Sequence, residues 1–223
     1  MGVIRTVGYF LLVGLVSAGC NATRVIKPLE KGEKQVSASV GGPGIIFGGA
    51  PIPLPLSSVN YAHGIDTGMT LVAGGHFTSA LFGVAQMDVG LGISAFKSET
   101  EKFGLTVTPG LNLFYDFNEN NSRIYPQIEG ICWWQYSEKE HLIYGGAGTW
   151  IELVKRKAHD QVQTNEFMPW VSLGHQFNLE KWSYLTELKY IGFQQNTGSV
   201  VVNYISPANQ GTVGLYLGIS RRF

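Results

Sequence analysis

The segment GTVGLYLGISRRF, residues 211–223, decides how the chain is read. Val213, Leu215, Leu217 and Ile219 alternate with Thr212, Gly214, Tyr216, Gly218 and Ser220. Side chains two positions apart on a strand share a face, so this segment has one apolar face and one small, mostly polar face. The same pattern recurs upstream. In residues 104–116, Leu105, Val107, Leu111, Leu113 and Tyr115 oppose Thr106, Thr108, Gly110, Asn112 and Asp116. In residues 82–97, Gln86, Asp88, Gly90, Gly92 and Ser94 alternate with Ala85, Met87, Val89, Leu91 and Ile93.

Working outward by the same alternation predicts strands at 33–42, 54–64, 68–77, 82–97, 104–116, 122–137, 141–153, 165–177, 182–195 and 211–223. Tilted strands of ~9–11 residues cross the hydrocarbon core of a membrane. The expected fold is all-β: an antiparallel up-and-down transmembrane β-barrel of about ten strands, with the boundaries admitting eight to twelve. Closure satisfies every backbone N–H and C=O inside lipid, where no water is available to do so. If the first strand starts in the periplasm, the connections 43–53, 154–164 and 196–210 face outward and are long, while those after strands two, four, six and eight are short.

Composition agrees with this reading. Charged residues make up 14% of the 223, against ~25% in a typical soluble domain. Glycine occurs 29 times and aromatics make up 12%. The formal net charge is zero, which gives no reason to expect a nucleic-acid partner. Residues 1–20, MGVIRTVGYFLLVGLVSAGC, carry Arg5, a short apolar stretch and the small residues Ser17, Ala18 and Gly19. They read as a signal peptide over 1–19, too short to span a bilayer. Residues 20–32 read as a tether and 33–223 as the barrel.

Cys20 after Ala18-Gly19 resembles the lipobox of bacterial lipoproteins, with Ser17 where Leu or Val is usual. That resemblance implies acylation of Cys20, palmitate included. Ordinary cleavage beside an unmodified Cys20 is the alternative. The terminal strand resembles the C-terminal signature of outer-membrane β-barrel proteins: Phe223 ends it, with Val213, Leu215, Leu217 and Ile219 at alternate positions and Arg221 departing from the pattern. The resemblance implies a bacterial outer-membrane location, contact with its lipid and handling by the barrel-insertion machinery. Gly41-Gly42-Pro43 followed by APIPLPL also resembles a group of small bacterial lipoproteins.

Turning the polar face inward places His76, Asp88, Arg123, Glu129, Glu187 and Lys189, with Arg222 at the end, in the lumen. Acids and bases roughly cancel, so they are expected to pair across a lumen nearly filled by its own side chains. Trp133, Trp134, Tyr136, Trp150, Trp170, Trp182 and Tyr184 lie near strand ends, as an interfacial girdle would. Cysteine and histidine spacing matches no metal motif, and no cofactor fingerprint is present. The expected role is structural or passive and not catalytic.

Two other classes compete with it. A lipid-anchored, lipocalin-like soluble barrel would turn the apolar faces inward. A lipid-modifying outer-membrane enzyme would use His76 and Ser79, which loosely resemble the pair in lipid A deacylases.

Overall fold

A computed structural model describes residues 22–154, 166–198 and 202–223. The expected leader, Cys20, the basic run Lys155-Arg156-Lys157 and His159 lie outside the described residues. The chain forms β1 (Lys34–Phe47), β2 (Ala50–Pro53), β3 (Leu56–Asp66), β4 (Met69–His76), the short helix α1 (Phe77–Leu81), β5 (Val84–Lys97) and β6 (Phe103–Asp116). It continues with β7 (Asn121–Tyr136), β8 (His141–Ile151), β9 (Phe167–Asn178), β10 (Trp182–Asn196) and β11 (Gln210–Arg222).

Each strand pairs antiparallel with its sequence neighbour, and β11 returns to pair with β1. The result is a closed ten-strand barrel, with β2 as an appendage on the end of β1. The terminal residue completes the seam. Phe223 N–H donates to Lys34 O at 2.8 Å and Lys34 N–H to Phe223 O at 3.3 Å. Both ends of the barrel domain and the connections 67–68, 98–102, 137–140 and 179–181 lie at one end, here the near end. The connections 77–83 and 117–120, the described parts 152–154, 166, 197–198 and 202–209 of two longer ones, and the β1–β2 hairpin lie at the far end.

The expected outward loop 43–53 is itself structured. Gly48 and Gly49 at φ 59° and 84° make the two-residue turn that matches strand twist in a hairpin. Beside the hairpin, Ile46 N–H bonds Asn203 O at 2.8 Å and Ile205 N–H bonds Gly44 O at 2.7 Å, so two far-end loops form a small shared roof.

The alternation holds around the wall. Met87, Leu111, Leu113, Leu188, Leu215, Leu217 and Ile219 face outward and are exposed. Between the rims no Asp, Glu, Lys or Arg of the described strands faces outward. Asp88, Glu129, Glu187 and Lys189, the charges in mid-strand, all point into the lumen. A lipocalin-like barrel needs the opposite arrangement.

Candidate functional site: the lumen and its occupant

The lumen contains a segment of the chain itself. Residues 22–32, expected to be a tether, enter at the near end beside β3 and run inside the barrel past its middle. Leu29 N–H donates to Thr70 Oγ1 at 2.8 Å, and Thr106 Oγ1–H donates to Ile26 O at 2.7 Å. Lys27 Nζ donates to Gln135 Oε1 at 2.8 Å and sits 5.5 Å from the Trp133 ring centre. Further along, Thr23 N–H donates to both oxygens of Glu187 at 3.1 and 3.3 Å, and Thr23 Oγ1–H donates to Glu129 Oε1 at 3.1 Å.

Apolar packing and shaped wall positions accompany these bonds. Ala22, Val25, Ile26 and Leu29 are buried. Burying Val, Ile or Leu contributes about 1.5–3 kcal/mol each. A side chain at Gly92 would meet Val25 Cγ1 at 2.7 Å, and one at Gly64 would collide with Glu30 O. These wall glycines leave the room that the segment fills. The tether reading failed because the apolar residues Val25, Ile26 and Leu29 punctuate its polar sequence. They were the available signal for a buried segment.

Two charge clusters result. In the first, Arg24 is ion-paired with Asp88, whose side chain is wholly buried. His76 Nε2–H donates to Asp88 Oδ2 at 2.8 Å, and Arg24 Nη2 lies 3.3 Å from the same ring nitrogen. In the second, Lys189 Nζ lies 3.4 Å from Glu187 Oε1 and 3.6 Å from Glu129 Oε1. Tyr144 donates its hydroxyl to Glu187 Oε2 at 2.7 Å, and Trp170 Nε1–H donates to Glu129 Oε1 at 3.1 Å. Unpaired buried charge is costly, so each carboxylate is held by several donors.

The structure thus brings together His76, Asp88, Glu129, Glu187 and Lys189, and leaves Arg123 and Arg222 at the rims. Arg123 lies beside Tyr125 near the far end. Arg222 Nη1 lies 3.8 Å from Glu33 Oε1 near the other. The expected cancellation of acids and bases on the wall is therefore corrected. At mid-depth the wall offers three carboxylates and Lys189, and the further cation is Arg24 of the inserted segment.

The aromatic girdle is also corrected in part. Trp133, Trp150 and Trp170 are buried in the lumen, whereas Trp134, Trp182 and Tyr184 are exposed on the outer wall. Two of the inward rings lie over glycines of the neighbouring strand: a side chain at Gly104 would collide with the Trp133 ring, and one at Gly148 with the Trp170 ring. Their N–H groups are satisfied, with Trp133 bonded to Thr106 Oγ1 at 3.1 Å and Trp150 to Gln127 Oε1 at 2.7 Å. Outside, Arg221 lies 5.4 Å from the Trp182 ring and 5.0 Å from that of Phe223, which gives this near-rim cation an aromatic bed.

The His76–Ser79 pair is not brought together. Ser79, on α1, donates its hydroxyl to Gln86 Oε1 at 2.7 Å, while His76 is engaged by Asp88. Among the described residues no group of three or more His, Cys, Asp or Glu has the arrangement of a metal site. A polar cavity of about 300 Å³ opens at the near end, bordered by Arg24, Lys27, Glu30, Gln35, Gln135 and Asn178.

No protein-family model matches the chain, and no curated protein matches it. Among solved structures it is similar to the translocator domain of the autotransporter NalP from Neisseria meningitidis, at 13% identity and a TM-score of 0.47, covering 99% of this chain and 98% of that one. It is similar to an outer-membrane channel from Pseudomonas putida F1 at 10% identity and a TM-score of 0.47, covering 91% of this chain and 100% of that one. A third is the transport unit of the autotransporter AIDA-I from Escherichia coli, at 9% identity and a TM-score of 0.44, with 97% and 98% covered. These likenesses are distant, and the fold stands on the chain's own strand pairing.

Proposed function

We propose that this chain is a bacterial outer-membrane β-barrel lipoprotein with a structural or passive surface role, whose lumen is closed by its own residues 22–32. One observation carries the membrane reading. The outer wall is almost wholly apolar between the rims, with Thr186 an uncharged exception, while every mid-strand charge is turned inward. Against water such a wall would be a large exposed apolar surface that soluble monomers avoid. Against acyl chains it is the expected solution, because closure leaves no strand edge unpaired.

The near end, with its short turns, is then periplasmic, and the β1–β2 hairpin and α1 face outward. A signal peptide over 1–19 completes the reading; with Ala22 buried in the lumen, acylation of Cys20 two residues away requires the segment to be withdrawn, so that the acyl chains reach the bilayer from the near end. The support for both is the sequence of residues 17–20. The lumen's donors and acceptors are used in holding residues 22–32, which supports a plugged interior over a catalytic one.

Membrane fractionation combined with heat-modifiable gel migration tests the reading. A folded bilayer barrel stays compact in unheated detergent and shifts on boiling. Equal migration before and after boiling, with release from membranes by mild washing, would remove the barrel from the bilayer. Metabolic labelling with palmitate, lost in Cys20→Ala, tests the anchor separately.

A further inference from the structure

We propose that residues 22–32 are a displaceable plug, and that the lumen they vacate is a cation-selective passage through the barrel. The inference rests on the membrane reading above and extends it from a closed barrel to a gated one.

The occupant is held differently from the wall. Wall strands are joined by backbone ladders all round the barrel. Residues 22–31 are joined to the wall by side-chain hydrogen bonds, the Arg24–Asp88 ion pair and apolar contact. Backbone pairing to the wall begins at its base, where Gly32 N–H donates to Gly64 O at 2.8 Å and Gly64 N–H to Glu33 O at 2.9 Å. The segment is therefore hinged beside β1 and can leave without opening a ladder. The near-end cavity of about 300 Å³ already lies alongside residues 24–30.

What remains after departure follows from the charges. An extended chain occupies a cross-section of roughly 5 by 10 Å, the spacing of strands and of sheets, which admits a small hydrated ion. The plug takes Arg24 with it. At mid-depth the wall then keeps Asp88, Glu129 and Glu187 against Lys189, with His76 beside Asp88. Carboxylates lining a narrow passage favour cations over anions.

The test is single-channel recording on the full-length protein, produced in bacteria with its leader, purified from the outer membrane and inserted in planar bilayers under a potassium chloride gradient. Val25→Cys with Gly92→Cys in a Cys132→Ala background provides a lock. The Cβ position of Gly92 lies 3.0 Å from Val25 Cβ, close to the ~3.5–4.5 Å of a disulfide. The oxidised lock is expected to stay closed and to open on reduction. Arg24→Ala is expected to raise open probability several-fold, with a reversal potential on the potassium side. Asp88→Asn with Glu129→Gln is expected to move that potential toward zero.

Equal conductance in oxidised and reduced lock would overturn the plug, and an anion-selective open state would overturn the passage. A heat-modifiable barrel that inserts and never conducts counts against this inference alone. A chain that does not insert overturns the membrane reading and this inference together.

Discussion

Arg24, on the inserted N-terminal segment, is ion-paired with Asp88, whose side chain on β5 is wholly buried. The pair joins two parts of the chain that are distant in sequence and fixes the segment at mid-depth. Removing one partner of a buried pair typically costs about 3–5 kcal/mol, because the other charge is stranded. Arg24→Ala is therefore expected to destabilise the plugged state by up to about that amount, and Arg24→Ala with Asp88→Asn by clearly less. Urea unfolding in lipid vesicles, followed by tryptophan fluorescence, measures both. Equal losses in the single and double variants would mean that the carboxylate gains nothing from the pair.

The seat of the plug gives a second prediction. Gly92 faces Val25 so closely that a side chain as large as leucine, with valine kept at position 25, must displace it. Gly92→Leu is expected to expel residues 22–32 while leaving the barrel closed, because Gly92 lies opposite Thr70 on β4 and the β5–β6 ladder is paired at Gly90–Gly110 and Ile93–Val107 on either side of it. Trypsin reads this directly. In the folded wild-type protein the bond after Arg24 is protected, and in Gly92→Leu it is cut within the digestion time of an exposed loop. Continued protection at Arg24 in a heat-modifiable Gly92→Leu barrel would show that the wall yields instead.

How far the sequence was legible follows from where its period was clean. Leu215, Leu217 and Ile219 alternate without interruption, and the barrel follows from such strands because each face has one environment. The faces of His76, Asp88, Glu129, Glu187 and Lys189 were legible for the same reason. Three features were not. Trp133, Trp150 and Trp170 have amphipathic rings that suit either a lipid interface or a lumen with glycine seats, and spacing alone does not choose. Residues 22–32 have no strand period, so nothing local tied them to Thr70, Thr106 or Glu187 across the barrel. The pairing of Arg24 with Asp88 is a property of closure, visible once both walls exist.

The inward and outward tryptophans give a third prediction. Trp134 and Trp182 are exposed on the outer wall, and Trp133, Trp150 and Trp170 are enclosed. In vesicles of brominated lipid, variants keeping one tryptophan each are expected to divide accordingly, with Trp134 and Trp182 strongly quenched and the other three little affected. Quenching of Trp133 equal to that of Trp134 would place both faces of β7 against lipid, which a closed barrel forbids.

The last prediction concerns the outer wall itself. Leu217 faces outward in the middle of β11, and Tyr184 faces outward near the start of β10 at the near rim. A cation on the lipid face of a barrel costs about 2–4 kcal/mol at the bilayer midplane and about 0–1 near the interface. Leu217→Arg is expected to destabilise the barrel by the larger amount and Tyr184→Arg by the smaller. A water-facing wall gives no such depth dependence, since an exposed arginine there is nearly neutral at either level. Equal, small effects at both positions in vesicle refolding titrations would therefore contradict the membrane placement, even if the barrel and its plug remained intact.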